Sequence, residues 1–178
     1  MIKAYKLKEK EILYEANIFD FAKYTVELPN GKESTRYILE HNGAAVIIAI
    51  AKNGDLVMVR QYRNGSGSVM LELPAGKLDL GEDPQVCALR ELTEETGYRA
   101  AKIKKLLNMY PVAAYCTEQM FLFLAEELEA GQPSPDEDEF VEVELQPLAE
   151  LLCMIDRGEI TDMKTILGLL YYSRMLEK

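Results

Sequence analysis

Residues 76–98 read GKLDLGEDPQVCALRELTEETGY, and this stretch carries the strongest structural signal in the chain. Asp83 followed by Pro84 is typical of a helix start, with aspartate as the N-cap and proline at the first helical position. Gly97 stands where a glycine commonly ends a helix. The pattern therefore predicts a helix from Pro84 to Thr96.

Three glutamates lie close together on this predicted helix. At about 100° per residue, Glu91, Glu94 and Glu95 fall within an arc of roughly 100°. They form either an acidic face in solvent or a divalent-cation site, because Mg²⁺ and Mn²⁺ prefer carboxylate oxygens. The spacing alone favours the solvated face. The apolar residues expected to pack against the core are centred nearly opposite: Val86, Leu89 and Leu92.

The residues around the glutamates resemble the signature of the Nudix hydrolase family. That signature is glycine, five residues, glutamate, seven residues, Arg-Glu, an apolar residue, any residue, Glu-Glu, any residue, glycine and a bulky residue. Seven fixed residues at ordinary frequencies match by chance on the order of 10⁻⁸ or less per start, so the metal site becomes the preferred interpretation. The matching positions are Gly76, Glu82, Arg90, Glu91, Leu92, Glu94, Glu95, Gly97 and Tyr98.

The resemblance implies a fold and a metal site. It predicts an α/β protein with a Nudix-type α/β/α sandwich and a mixed sheet, preceded by an N-terminal β-hairpin region. It further implies that Glu91, Glu94 and Glu95 bind Mg²⁺ or Mn²⁺ and that the backbone carbonyl of Ala75 adds a ligand. Glu94 is also expected to be catalytic.

Arg90 lies on the flank of the glutamate arc. A fixed guanidinium there could lock carboxylate rotamers, with Glu82 as its partner, and Arg90 is therefore expected among the catalytic residues. An ordinary surface ion pair is the alternative. Gly76 suits a close approach of backbone to metal or phosphate.

A second acidic stretch, DEDEFVEV at 136–143, resembles a loop and strand of the ADP-ribose pyrophosphatase branch of the family. In that branch the glutamate before Phe-Val-Glu-Val is the expected general base, which implies Glu139, with Glu137 second. A solvated acidic loop is the alternative for most of this run.

The resemblance to this branch extends over about residues 35–165 and implies substrate-binding residues outside the signature. Arg63, at the end of LVMVRQYR, is expected to contact substrate phosphate, and Arg36 to do so across a dimer interface; either can instead be a plain surface residue. Glu118 closes a family segment near the nucleotide. Glu72 is expected beside the site, serving metal or substrate or only supporting the loop.

One segment departs from the branch pattern. A proline usually stands sixteen residues after the last signature glycine, followed by glycine, whereas this chain has Ala113 and Ala114. Loss of both residues allows this loop a different path, because proline and glycine have special backbone preferences. The terminal group of the substrate is therefore left open.

The rest of the chain predicts further strands and helices. A β-hairpin is expected around Pro29-Asn30-Gly31, and the apolar run Gly43–Ala51 is expected to be a strand buried on both faces that pairs antiparallel with Asp55–Tyr62. We divide the chain into residues 1–41, an N-terminal β-hairpin region that is a possible dimerisation element, and residues 42–178, the Nudix hydrolase domain. The other predicted elements are strands at Phe21–Leu28, Ser34–His41, Val69–Leu73, Ile103–Tyr110, Gln119–Glu126 and Phe140–Leu145 and helices at Pro147–Asp156 and Asp162–Leu176.

Composition narrows the class of partner. The chain has 178 residues and a net charge of −10, which disfavours a nucleic-acid polymer because such proteins cluster Lys and Arg. The apolar run at 44–51 is too short to span a membrane, and the N-terminus lacks the apolar core of a signal peptide, so a cytoplasmic protein is expected. A small phosphate substrate remains compatible, since a bound cation reverses the local charge.

The expected reaction is metal-dependent hydrolysis of the pyrophosphate bond of ADP-ribose or a related nucleoside-diphosphate sugar, releasing a nucleoside monophosphate and a sugar phosphate. Two alternatives stay open. One is hydrolysis of another nucleoside diphosphate derivative, such as a dinucleoside polyphosphate, NADH or CoA. The other is a Nudix domain that binds a nucleotide without cleaving it. Family resemblance also implies a homodimer.

Overall fold

The computed structural model describes residues 3–134 and 140–177. In these ranges the chain forms a mixed α/β fold with three sheets and three helices. The strands are β1 (Lys6–Glu15), β2 (Asp20–Glu27), β3 (Glu33–Glu40), β4 (Ala44–Ala49), β5 (Leu56–Arg63), β6 (Ser68–Glu72), β7 (Ala75–Lys77), β8 (Arg99–Met109), β9 (Met120–Glu129) and β10 (Val141–Gln146); the helices are α1 (Pro84–Thr96), α2 (Leu148–Asp156) and α3 (Met163–Leu176).

The helices begin and end close to their predicted positions. Helix α1 has Asp83 as its N-cap, whose carboxylate accepts from the N–H groups of Gln85 and Val86, and Gly97 follows it with a φ of 75°. Helix α3 is capped by Asp162, which accepts from the Thr165 N–H. No helix within the described residues has both the length and the apolar character needed to cross a membrane.

Strand β4 lies inside a four-stranded sheet of order β7-β4-β9-β8. It runs parallel to β9 and antiparallel to β7, so the sheet is mixed, as predicted. Its side chains alternate between two apolar clusters, one containing residues of α1 and the other residues of α2 and α3. Helices thus cover both faces of this sheet, which confirms the predicted α/β/α sandwich. On β4 the first cluster takes Ala45, Ile47 and Ala49, and the second takes Val46 and Ile48.

The predicted antiparallel pairing of β4 with β5 is wrong. Strand β5 belongs to a separate three-stranded sheet of order β10-β5-β6, and it meets the β4 segment only through an isolated bridge between Ile50 and Leu56. All six residues of β4 are buried, as predicted. Its two edges are hydrogen-bonded to β7 and β9, which leaves no edge free for a ladder with β5.

Strand β7 is absent from the elements predicted from the sequence. Its three residues pair with β4, with Gly76 opposite Ala45. Just before the strand, Pro74 O accepts a hydrogen bond from Ile47 N at 2.9 Å. The loop that enters α1 is therefore tied to the most buried strand of the fold, which fixes the backbone at Ala75 and Gly76.

The chain divides into two compact units. One consists of Met1–Gly43 and Tyr110–Gln119, and the other of Ala44–Met109 and Met120–Lys178. In the first unit the predicted hairpin of β2 and β3 is confirmed, and β1 adds a third antiparallel strand that the sequence did not single out. Every residue of β1 is exposed, so it lacks the buried alternation that would have marked it.

Candidate active site

The packing face of α1 differs from the predicted one. Val86, expected on that face with Leu89 and Leu92, is 57% exposed, whereas Cys87, Ala88 and Leu92 are buried against the sheet. The predicted packing face was based on apolar residues alone. It was wrong because glutamates also lie on the buried side of this helix.

Two of the three glutamates of α1 point into the protein. Glu91 is 8% exposed and Glu95 is 3% exposed, so the solvated acidic face is not what the structure contains. Ala75 N donates to Glu95 Oε2 at 3.1 Å. A Cβ added to Gly76 would lie 1.9 Å from the carboxyl carbon of Glu91. Both carboxylates therefore lie against the backbone of β7, and that of Glu91 occupies space that glycine at position 76 leaves open.

Arg90 connects three acidic side chains at the start of this site. Its Nη1 donates to Glu91 Oε1 at 2.7 Å and to Glu94 Oε2 at 2.9 Å. Its Nε and Nη2 form a bidentate pair with Glu82, at 3.0 and 2.9 Å, and Nη2 also donates to Lys77 O at 3.1 Å. The predicted pair of Arg90 with Glu82 is thus present, and Arg90 fixes the rotamers of two neighbouring glutamates.

The pKa values of this pair reflect mutual stabilisation. Hydrogen bonding to Glu82 raises the pKa of Arg90 further above its ordinary value, although partial burial opposes the shift. The same hydrogen bond lowers the pKa of Glu82, helped by the Asp79 N–H. Both groups therefore keep their charges at neutral pH, and the site retains a permanent cation beside its carboxylates.

The donor groups near β7 are of the kind that Mg²⁺ and Mn²⁺ bind. Buried carboxylate oxygens of Glu91 and Glu95 lie beside the backbone of Ala75, and hard oxygen donors suit these cations. Across residues 3–134 and 140–177, no three His, Cys, Asp or Glu side chains are gathered so as to hold a metal ion. Arg90 binds one oxygen each of Glu91 and Glu94, so these two carboxylates face a guanidinium in this structure. The residues fit a divalent cation in chemical kind.

Arg63 and Glu72, both predicted to bind substrate, form a pair with each other. Glu72 is 1% exposed and accepts from Arg63 Nε at 2.9 Å and Nη2 at 2.8 Å. Burial alone would raise the pKa of Glu72, but the Arg63 hydrogen bonds and the charge of Lys164 outweigh it and lower that pKa. Glu72 is therefore a buried anion that orients Arg63 within the same unit as α1.

The start of α3 completes this cluster. Lys164 Nζ donates to Glu72 and, at 2.9 Å, to Asp162 Oδ2. Thr165 Oγ1 donates to the same Asp162 oxygen at 2.6 Å and accepts from Leu73 N at 2.9 Å. The residue that caps α3 is thereby linked both to Glu72 and to the backbone that leads into β7.

Arg36 and Glu118, the other two predicted substrate-binding residues, belong to the first unit. Arg36 Nη1 donates to Ser34 Oγ at 2.6 Å, and its guanidinium carbon lies 5.9 Å from the centre of the Tyr5 ring. Glu118 Oε1 lies 3.9 Å from His41 Nδ1. The structure thus brings Arg63 and Glu72 together and gives Arg36 and Glu118 separate partners in the first unit.

The segment with Ala113 and Ala114 forms a turn. Tyr115 N donates to Val112 O at 3.2 Å, and the segment pairs with β3 because Leu39 N donates to Tyr115 O at 2.8 Å. The predicted general bases, Glu139 and Glu137, lie outside the described residues. Ser134 is the last described residue before them. Its N–H donates to Glu94 O at 2.8 Å, so Ser134 lies beside the end of α1.

Sequence reasoning missed two residues of the site. Lys164 carried no signal, because a lysine in the first turn of a helix is ordinary and its partner Glu72 is 92 positions away. Cys87 lies in the signature stretch but is not one of its fixed positions. Its Sγ lies 3.4 Å from Lys77 O, a contact that secures the loop, and burial raises its pKa to about 12. Spacing within a helix indicated neither contact.

Comparison with known proteins gives consistent results. The family model described as "NUDIX domain" matches residues 40–167. An ADP-ribose pyrophosphatase of Bacillus subtilis (strain 168) is 41% identical over 164 residues, covering 91% of this chain and 89% of that protein. A methanol dehydrogenase activator of Bacillus methanolicus is 38% identical over 168 residues, covering 93% of this chain and 91% of that protein.

A solved structure supports the fold. The crystal structure of an ADP compounds hydrolase superposes with a TM-score of 0.85, covering 99% of this chain and 96% of that chain. The sequence identity is 22%, so this likeness concerns the architecture. The sheet arrangement described above is therefore one that an experimentally determined protein also adopts.

Proposed function

The chain belongs to the Nudix family, and we propose that it hydrolyses the pyrophosphate bond of ADP-ribose or a related nucleoside-diphosphate sugar. The products would be a nucleoside monophosphate and a sugar phosphate. One observation carries the proposal: Glu91 and Glu95 are buried against the backbone of Ala75 and Gly76, with Arg90 binding Glu91 and Glu94. Such a group of anions in the interior suits a cation-assisted reaction on phosphate.

The proposed metal ligands are Glu91, Glu94, Glu95 and the carbonyl of Ala75. Nudix hydrolases generally depend on a divalent metal, and we propose Mg²⁺ or Mn²⁺ because the donors are all oxygen. When bound, the cation would neutralise phosphate oxygens and lower the pKa of an attacking water. The contribution of the chain is to hold these carboxylates within reach of β7.

Proton transfer requires a base beside the attacking water. We propose Glu139 for this role, with Glu137 as the second candidate, on the resemblance of residues 136–143 to the branch loop. Ser134 supports the proposal indirectly. It lies five residues before Glu139, and its N–H donates to the Glu94 carbonyl near the end of α1. Arg90 would act on Glu91 and Glu94 rather than on the substrate.

Substrate phosphate would bind Arg63. Glu72 occupies its Nε and Nη2 and leaves Nη1 outside that pair, so the guanidinium keeps an edge for a second anion. We further propose that Arg36 and Glu118 contribute to nucleotide binding and that the protein is a homodimer to which residues 1–41 contribute. A cytoplasmic location accords with a small nucleotide substrate.

A second candidate is a Nudix domain that binds a nucleotide without cleaving it, and the similarity to a protein named as a methanol dehydrogenase activator supports a role exerted on another protein. The intact set Glu91, Glu94 and Glu95 favours catalysis, because a domain that only binds has no need of a metal-carboxylate cluster. Hydrolysis of a different derivative, such as a dinucleoside polyphosphate, NADH or CoA, is the other alternative, since Ala113 and Ala114 leave the terminal group open.

The deciding experiment assays ADP-ribose, GDP-mannose, ADP-glucose, dinucleoside polyphosphates, NADH and CoA with Mg²⁺ and with Mn²⁺, identifying the products. We expect nucleoside monophosphate from ADP-ribose or a nucleotide sugar, loss of turnover with chelator, and collapse of turnover in Glu94→Gln and Glu95→Gln. Undiminished rates in those variants would contradict the metal assignment. Tight nucleotide binding in calorimetry without product would favour the binding domain.

A further inference from the structure

Lys164 is a buried lysine that the proposed reaction does not use. It is 8% exposed, and it forms ion pairs with two carboxylates, Glu72 and Asp162. An ammonium in the interior is strongly unfavourable unless it is paired. The two carboxylates meet this requirement and fix the lysine from two sides. The buried position of Lys164 in the first turn of α3 therefore depends on its two ion pairs.

Glu72 carries the influence of Lys164 to Arg63. Its Oε2 accepts from both Lys164 Nζ and Arg63 Nη2, while its Oε1 accepts from Arg63 Nε. Because Glu72 is held by Lys164, its carboxylate plane is fixed. A bidentate partner then fixes the plane of the guanidinium as well as its position.

The charges in this cluster balance. Arg63 and Lys164 are cations, and Glu72 and Asp162 are anions, so the sum is zero. Without Lys164, two carboxylates would face one guanidinium, and a negative ligand approaching Arg63 would meet added repulsion. Lys164 therefore affects both the geometry and the local field at Arg63.

We propose that Lys164 is a positioning residue for the substrate pyrophosphate: acting through Glu72, it holds the guanidinium of Arg63 in place and offsets the carboxylates around it. The inference rests on the proposed function, in which Arg63 binds that pyrophosphate. Lys164 has no need to touch the substrate. It acts instead on Glu72, the carboxylate that orients Arg63.

The first test compares Lys164→Met with Lys164→Arg and with Lys102→Met as a control. Lys102 pairs with Glu127 on the surface. This ion pair shares no residue with the cluster of Arg63, Glu72, Lys164 and Asp162, so its loss is a suitable control. We expect Lys164→Met to raise the KM for ADP-ribose about tenfold, with a smaller change in kcat, because an anchor of ground-state binding is lost. Lys164→Arg should restore part of the loss, and Lys102→Met should match wild type.

The second test is a double-mutant cycle with Arg63→Met. If Lys164 acts through Arg63, adding Lys164→Met to Arg63→Met should raise KM by less than about twofold, since coupled residues are not additive. A purely structural lysine would give independent effects. A double variant whose KM increase equals the product of the two single increases would overturn the proposal.

A third measurement does not depend on turnover. The Arg63 Nε–H resonance, assigned by its loss in Arg63→Met, should shift or broaden in Lys164→Met and keep its wild-type position in Lys102→Met. An unchanged resonance in Lys164→Met would overturn the positioning role. If wild-type protein cleaves no substrate, the proposed function fails, and this resonance alone decides whether Lys164 orients Arg63.

A variant that preserves charge balance covers the case in which Lys164→Met does not fold. Adding Asp162→Asn removes the carboxylate left unpaired, and asparagine also serves as an N-cap. The double variant Lys164→Met/Asp162→Asn should fold and show the same change in the Arg63 resonance. A wild-type resonance in this folded variant would again overturn the proposal.

Discussion

The carboxylate of Glu91 occupies the space beside the α-carbon of Gly76, where a Cβ would lie 1.9 Å from its carboxyl carbon. Contacts this short are impossible, so any side chain at position 76 must displace Glu91 or β7. This relationship explains physically why a glycine is needed fifteen residues before Glu91.

We expect Gly76→Ala to lower kcat/KM by about 100-fold, because displacement of a site carboxylate by about 1 Å has effects of that size. Gly65→Ala is the matched control, since a Cβ at Gly65 meets nothing within 4 Å. Steady-state kinetics and thermal unfolding of both variants provide the test. Wild-type turnover in Gly76→Ala would show that Glu91 has no fixed role.

Arg90→Lys should reduce kcat by about tenfold or more, because an ammonium cannot bind Glu82 in a bidentate pair while also reaching two further glutamates. The control is Arg157→Lys, which alters an exposed arginine that binds Glu150 and Glu159. Turnover and metal affinity should change only in the first variant. Equal, small effects in both would indicate that Arg90 forms only a surface ion pair.

Gly97→Ala should destabilise the protein more than Gly158→Ala. The two glycines have nearly equal φ angles, 75° and 73°, so both variants incur left-handed strain of about 1–2 kcal/mol. Only at Gly97 does the new Cβ meet backbone, at 2.8 Å from Gln132 C and from Pro133 N, which adds about 1–3 kcal/mol. Urea unfolding measures the difference, and equal losses would contradict the close contact.

Glu72 should make stability depend on acid pH. Its pKa is lowered in the folded protein from a reference of 4.5, so its contribution to the free energy of unfolding is fully present above that value and is lost as pH falls through the folded pKa. The stability difference between wild type and Glu72→Gln should therefore shrink as the pH is lowered below about 4.5.

Urea unfolding from pH 6 to pH 3 measures this difference at each pH. Glu159→Gln serves as the comparison, because the pKa of Glu159 is also lowered, by Arg157, but the pair is exposed to solvent. Screening should make its pH-dependent difference smaller. A difference for Glu72→Gln that stays constant over the whole range would contradict the charged buried pair.

Local signals in the sequence predicted local structure well. The bounds of α1 follow from Asp83, Pro84 and Gly97, whose effects on the backbone act over a few residues, and the structure places the helix between them. The family signature likewise predicted the Arg90–Glu82 pair, because both members lie on or next to one helix. These features depend on chemistry that a short stretch of chain contains.

Features that depend on distant partners could not be predicted in the same way. The pairing of Lys164 with Glu72 joins residues far apart in the chain, and β4 pairs with β9, which comes from a distant part of the chain. The burial of Glu91 was missed because a helical wheel assigns carboxylates to solvent. In a charged site, polar residues occupy buried positions that hydrophobicity alone would assign to apolar residues.

Leu39 hydrogen-bonds twice to a segment more than seventy positions later, accepting from Thr117 N and donating to Tyr115 O. The N-terminal strands are therefore no detachable module that gene fusion could add or truncation could remove without consequence. Removal of Met1–Gly43 would leave the backbone of Tyr110–Gln119 without these two partners. Any fusion or truncation should therefore keep the two stretches together.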